Sequence, residues 1–199
     1  MTKTARFDRQ TVVEKATHLY WEKGFHATSM RNLQDVIDMR PGSIYASFGS
    51  KEGLFKEALQ FYADMSLNQL VDCTAKTQSP IRALKTFFNS VVIDSRRNAP
   101  SNMCMLVKTI SELTDDNREL LFEAKRLLSA IEQSLQGVLD KAKECGELAE
   151  HEDTARLARY LQMQLMGLRT YSRTSDDELT VSSMIDDIFN NKTFLLKNH

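Results

Sequence analysis

Seven glycines and three prolines are all the strong backbone punctuation this chain has over 199 residues. A β-rich chain of that length turns often, and turns consume those two residue types. Punctuation this sparse predicts long helices. The apolar fraction of 42% is near the globular norm and excludes wholesale disorder. No apolar run approaches the roughly 20 residues of a membrane span. The opening MTKTARFDRQ lacks the apolar core of a secretory signal. A soluble, cytoplasmic protein with no membrane partner is the expectation. Cys73, Cys104 and Cys145 make an odd count without CxxC spacing, so neither a disulfide framework nor a zinc site is expected. No other metal or cofactor is expected either.

The apolar spacing divides the chain into about nine helices and no strand. Val12, Ala16, Leu19 and Tyr20 share one face over 8–24, and Gly24 is a stop. Thr28 or Ser29 is positioned to N-cap a short helix carrying Met30, Leu33, Val36 and Ile37, which ends at Asp38. Pro41 suits the first turn of another short helix with Ile44, Tyr45 and Phe48 on its apolar side. Long periods follow: about 51–77, 80–96, a short apolar helix over 102–113, a very long one after Thr114-Asp115-Asp116, then 152–172 and 177–192. The longest stripe runs from Leu120 to Ala142 and stops at Gly146. The class is all-α: a helix-turn-helix domain over 1–52 and a larger helical domain over 53–199.

Two short helices joined by a tight turn and braced by longer ones form a helix-turn-helix pattern. Packing of Leu33, Val36, Ile37, Ile44 and Phe48 is expected to hold them together, because helices this short do not persist alone. The second short helix then presents Arg40, Ser43 and Ser47 at or beyond its start, side chains short enough, apart from the arginine, to let a helix axis sit deep in a major groove. Charge agrees. Residues 1–56 hold nine Lys and Arg against six Asp and Glu, a net +3, while the remainder is net −4. A basic head on an acidic body suits contact of the head alone with a polyanion.

The run Gly42-Ser43-Ile44-Tyr45 with Phe48, Ser50, Lys51, Glu52 and Leu54 resembles the N-terminal domain of TetR-family repressors. The likeness is close over about 25–55 and looser over the whole chain. It implies that Thr28, Tyr45 and Lys51 hold phosphates, and that Arg40, Pro41, Ser43 and Ala46 lie at or near base edges of a palindromic double-stranded operator. Two positions depart from the family pattern: Asp38 stands where the turn usually has glycine, and Gln34 where the first short helix usually has alanine.

One recognition helix reads few base pairs, so such proteins work as two-fold dimers. Residues 154–190 are apolar on more than one face, and by resemblance the last two helices pair with those of a second copy. The family also implies an unknown small-molecule effector, with Phe87, Phe88, Met103, Cys104, Met163, Met166 and Tyr171 as pocket residues. Cys104, within the first turn expected for its helix and flanked by Arg96, Arg97 and Lys108, resembles the cysteine of a subgroup that senses oxidants or electrophiles. A helix N-terminus and nearby cations favour a reactive thiolate, and a small core residue is the plainer alternative. The expected function is a non-enzymatic transcriptional repressor, released by an apolar or electrophilic effector or by cysteine modification. The alternatives are a helical thiol peroxidase and a protein-binding adaptor. The first lacks a neighbouring activating residue, and the second leaves the match at 42–54 unexplained.

Overall fold

The structure, a computed structural model, describes residues 8–191 and 194. The described residues form nine α-helices and two short 3-10 turns. In chain order these are α1 (Arg9–Lys23), α2 (Met30–Ile37), α3 (Pro41–Phe48), α4 (Lys51–Ala75), α5 (Pro80–Val92), α6 (Met105–Glu112), α7 (Arg118–Glu144), α8 (Thr154–Tyr171) and α9 (Glu178–Phe189). The 3-10 turns, Asp94–Arg97 and Asp115–Asn117, follow α5 and precede α7. Two compact units result, Met1–Ala63 with Met105–Leu127, and Asp64–Cys104 with Leu128–His199. No helix among the described residues is long and apolar enough to cross a membrane.

Local chemistry sets the helix limits of the first unit. Asp8 caps α1, accepting from the Gln10 amide at 3.2 Å and the Thr11 hydroxyl at 2.6 Å. Those bonds, the Thr11 hydroxyl foremost, hold its carboxyl below the usual range. Of the two residues open for capping α2, Ser29 does it: its hydroxyl accepts from the Asn32 amide, and Asn32 closes the box on the Ser29 amide. Asp38 ends α2 at φ +54°, the left-handed region, and its amide donates to the Gln34 carbonyl at 2.9 Å. The Ser50 hydroxyl accepts from the Gly53 amide. A side chain at Gly53 would bring its Cβ to 2.0 Å from the Phe48 carbonyl oxygen, so α4 starts this close to α3 only with glycine there.

The core of this unit is aromatic. Tyr20 meets Phe55 edge-on at 4.7 Å, Phe25 lies 4.9 Å from Phe55, and Trp21 meets Tyr62 at 4.9 Å. Leu33, Ile37, Ile44 and Phe48 are buried as expected. Val36 is not. It is 39% exposed, because α2 needs only the Leu33–Ile37 side of its surface to dock.

Helix α6 grips the junction between α1 and α2 through backbone groups. Lys108 Nζ donates to the carbonyls of Trp21 at 3.2 Å and Glu22 at 2.7 Å, placing a cation at the C-terminal end of α1. One turn later, the Glu112 carboxylate accepts from the amides of Phe25 at 3.0 Å and His26 at 2.6 Å. Gly24 permits this approach. It sits at φ +88°, and a Cβ there would lie 2.5 Å from Glu112 Oε2.

In the second unit, α5, α7, α8 and α9 enclose Phe87, Phe88, Leu135, Leu139, Leu161 and Ile185. Phe88 meets Phe189 edge-on at 5.1 Å. Asp153 and Asp177 cap α8 and α9 with their carboxylates. Gly146, at φ +79°, turns the chain after α7. Three expected limits move. α5 ends at Val92 before a 3-10 turn, α9 ends at Phe189, and Cys104 lies just ahead of α6 rather than within its first turn. The expected end at Lys192 lies outside the described residues.

Two substitutions test this account, each read by urea unfolding through Trp21, the sole tryptophan. Asp38→Ala should cost about 1 kcal/mol, because alanine gives up the local hydrogen bonding that makes the left-handed region tolerable. Glu112→Ala should cost about 1 kcal/mol by leaving the part-buried Phe25 amide without its partner, and Glu112→Gln about half of that.

Candidate nucleic-acid interface

The exposed surface of α3 follows from its buried one. Ile44 and Phe48, one turn apart, face inward. Pro41, Gly42, Ser43, Tyr45 and Ala46 are therefore left exposed, with Arg40 exposed at the N-cap. The Arg40 side chain makes no capping hydrogen bond. Five of the seven residues singled out as DNA contacts are thus solvent-exposed on α3 and its N-cap: Arg40, Pro41, Ser43, Tyr45 and Ala46. Tyr45 is 48% exposed, so the ring is partly packed. The amides at the helix start add a positive end suited to phosphate oxygens.

The other two residues stand differently. Thr28 is fully buried and its hydroxyl donates to the Gly24 carbonyl at 2.6 Å. The exposed hydroxyl residue at the start of α2 is its neighbour Ser29. Lys51 is half-buried at the start of α4. Its ammonium donates to the Phe25 carbonyl at 2.6 Å and lies 4.2 Å from the Phe25 ring centroid. Burial pushes its pKa down, against the pull of Glu52 and Glu112. Its charge is already engaged with the segment whose amides Glu112 of α6 binds. Gln34, the departure inside α2, is half-buried, and Arg31 on α2 is exposed.

The seven residues named for an effector pocket do not share one environment. Phe87 and Phe88 are sealed in the core of the second unit. Met163 is 61% exposed. Met166 is half-buried, and Tyr171 lines an open groove with Tyr160, Leu168, Met184 and Ile188 on α8 and α9. Met103 and Cys104 are half-buried in the segment before α6. That segment is anchored by a residue the sequence reading missed. Arg169, buried on α8, donates to the carbonyls of Asn102 at 3.0 Å and Met103 at 3.3 Å. Arg173 donates to the Met103 sulfur. Nothing in the sequence sets Arg169 apart from Arg156 and Arg159 on the same helix; its burial, and the partners a buried charge needs, show only in the structure.

Comparison with known proteins agrees with this layout. Residues 12–58 match the bacterial regulatory proteins of the tetR family, and residues 80–187 match the tetracyclin repressor-like C-terminal domain. The chain is 27% identical over 169 residues to the HTH-type transcriptional repressor ComR of Escherichia coli, covering 84% of this chain and 80% of that one. It is 24% identical over 187 residues to the HTH-type transcriptional regulator YezE of Bacillus subtilis, covering 94% and 96%. The fold is similar to that of a cysteine mutant of the TetR family transcriptional regulator CifR complexed with 26-bp double-strand operator DNA. The TM-score is 0.85 at 21% identity, over 96% of this chain and 99% of that one. The reduced form of E. coli NemR has a TM-score of 0.77 at 16% identity, over 92% and 95%. The chain belongs to the tetR family of bacterial regulatory proteins and is a transcriptional regulator of that type.

Proposed function

We propose that the protein is a cytoplasmic, homodimeric repressor that places α3 in the major groove of a palindromic operator. The observation that carries this reading is the exposed surface of α3, where small and polar side chains surround a helix start. Arg40, Pro41, Ser43 and Ala46 meet base edges. Arg40 offers a fork to guanine, while Pro41 has no amide proton and offers apolar contact only. Tyr45 donates its hydroxyl to a phosphate. Lys51 adds positive potential from a half-buried site, and Ser29 supplies the hydroxyl that the buried Thr28 does not display. Residues 1–52 serve as the DNA-binding domain and 53–199 as the effector and dimerisation domain.

Pairing with a second copy runs through residues 154–190. The open apolar groove between α8 and α9 supports that surface, and Met163 on α8 and Leu179 on α9 are exposed apolar side chains on the same two helices. The two recognition helices then meet half-sites about one helical turn apart, or a multiple of it. An apolar or electrophilic effector, or modification of Cys104, shifts that separation and releases the operator. The support for Cys104 is its place: half-buried, and next to Met105, where α6 begins.

The experiment selects a duplex from a random pool with the full chain and compares its affinity with that of a scrambled duplex. Arg40→Ala and Ser43→Ala should each weaken the selected duplex about tenfold and leave the scrambled one unchanged. Tyr45→Phe and Lys51→Ala should weaken both equally, and Lys51→Ala, which removes a cation, should also flatten the dependence on salt. If the parent enriches no duplex, the reading fails. A limiting dose of electrophile should release the parent but not Cys104→Ser, and equal release of both would remove the cysteine from the mechanism.

A further inference from the structure

Helix α3 is poorly equipped to hold its own pose. It has eight residues, no side-chain cap at its start and no basic residue in its last turn. Its inward contacts, Ile44 and Phe48, are one turn apart and lie along a line nearly parallel to the helix axis. Two contacts on one line fix depth but leave the helix free to roll about that line. A roll changes which side chains face a groove floor.

The restraint off that line comes from another helix. Arg9, the first residue of α1, donates from Nη1 to the Ser47 carbonyl at 3.0 Å, an oxygen in the last turn of α3. Its guanidinium carbon lies 4.4 Å from the Phe48 ring centroid. Its other edge is bound to Glu57 of α4 through Nε at 3.1 Å and through Nη2. One planar group therefore ties the end of α3 to α1 and α4 together. A guanidinium suits this because its donors are fixed in a plane and its face stacks on a ring, whereas an ammonium is a point charge on a flexible stem.

We propose that Arg9, oriented by Glu57, is a positioning residue that sets the roll of α3 and so the sequence selectivity of DNA binding. The inference rests on the reading of α3 as the base-reading helix. Phosphate attraction tolerates small displacements of a helix, whereas hydrogen bonds to base edges weaken steeply with angle. Loss of the restraint thus falls on selectivity. The sign of the charge change separates this role from an electrostatic one. Glu57→Gln raises the net charge of the protein by one and on electrostatics alone strengthens binding to any duplex, while the same change releases Arg9 from its anchor.

The test uses the full chain with the selected and scrambled duplexes, and reads the ratio of the two affinities together with the melting temperature. Arg9→Gln and Glu57→Gln should each lower the ratio about tenfold, and the double variant should lower it no further, because the two side chains act as one unit. Glu57→Gln should bind the scrambled duplex as well as the parent or better. Melting temperatures should stay within about 3 °C, as for an exposed ion pair. A ratio unchanged in Glu57→Gln, or an equal loss on both duplexes in Arg9→Gln, overturns the proposal and makes Arg9 a bystander or a phosphate contact. A parent that enriches no duplex removes the base-reading role of α3 itself. A parent that enriches one, with variants that keep its ratio, removes only the role of Arg9.

Discussion

An eight-residue helix does not persist in water by itself, and every functional statement about this protein depends on α3 persisting. The helix exists because Ile44 and Phe48 are buried and because the turns on either side are chemically forced. Asp38 in the left-handed region ends α2, Pro41 pre-sets the first turn of α3, and glycines at 49 and 53 let α4 begin against its end. The outward surface from Arg40 to Ala46 is what remains once those demands are met. Its exposure is a consequence of packing, and its composition of small and polar side chains is what makes the exposure useful.

The same constraint explains why so much of the head is held through backbone groups. Lys108 and Glu112 spend both charges on main-chain carbonyls and amides at the α1–α2 junction, Lys51 takes the Phe25 carbonyl, and Arg9 takes that of Ser47. Side chains that grip backbone fix position without specifying the residue gripped. The segment from Trp21 to His26 is thereby clamped by α6 and by α4.

Much of the fold was legible because its determinants are local. Apolar periodicity gave the nine helices, and Ser, Asp, Pro and Gly at their ends gave most limits to within a few residues. The outward surface of α3 was legible for the same reason: a period of 3.6 residues puts Ile44 and Phe48 on one side and leaves Ser43 and Ala46 elsewhere. Determinants distant in the chain left no such trace. Arg9 and Glu57 are 48 residues apart, and Glu112 binds amides 86 and 87 residues away, groups that every residue but proline carries. Thr28 and Ser29 were interchangeable as caps until burial separated them. The residues named for an effector scattered because Met and Phe stripes mark core and pocket alike. Phe87 and Phe88 proved to be core, and Met163 faces outward.

The central claim is that residues 40–47 enter a major groove, and it is open to direct chemical reading. In a selected duplex with 5-bromouracil in place of thymine, bromine occupies the position of the methyl group on the major-groove floor. Irradiation of the complex followed by mass spectrometry should recover cross-links to peptides containing residues 40–47. Cross-links found only elsewhere in the chain, on a duplex the protein binds tightly and selectively, would contradict the account.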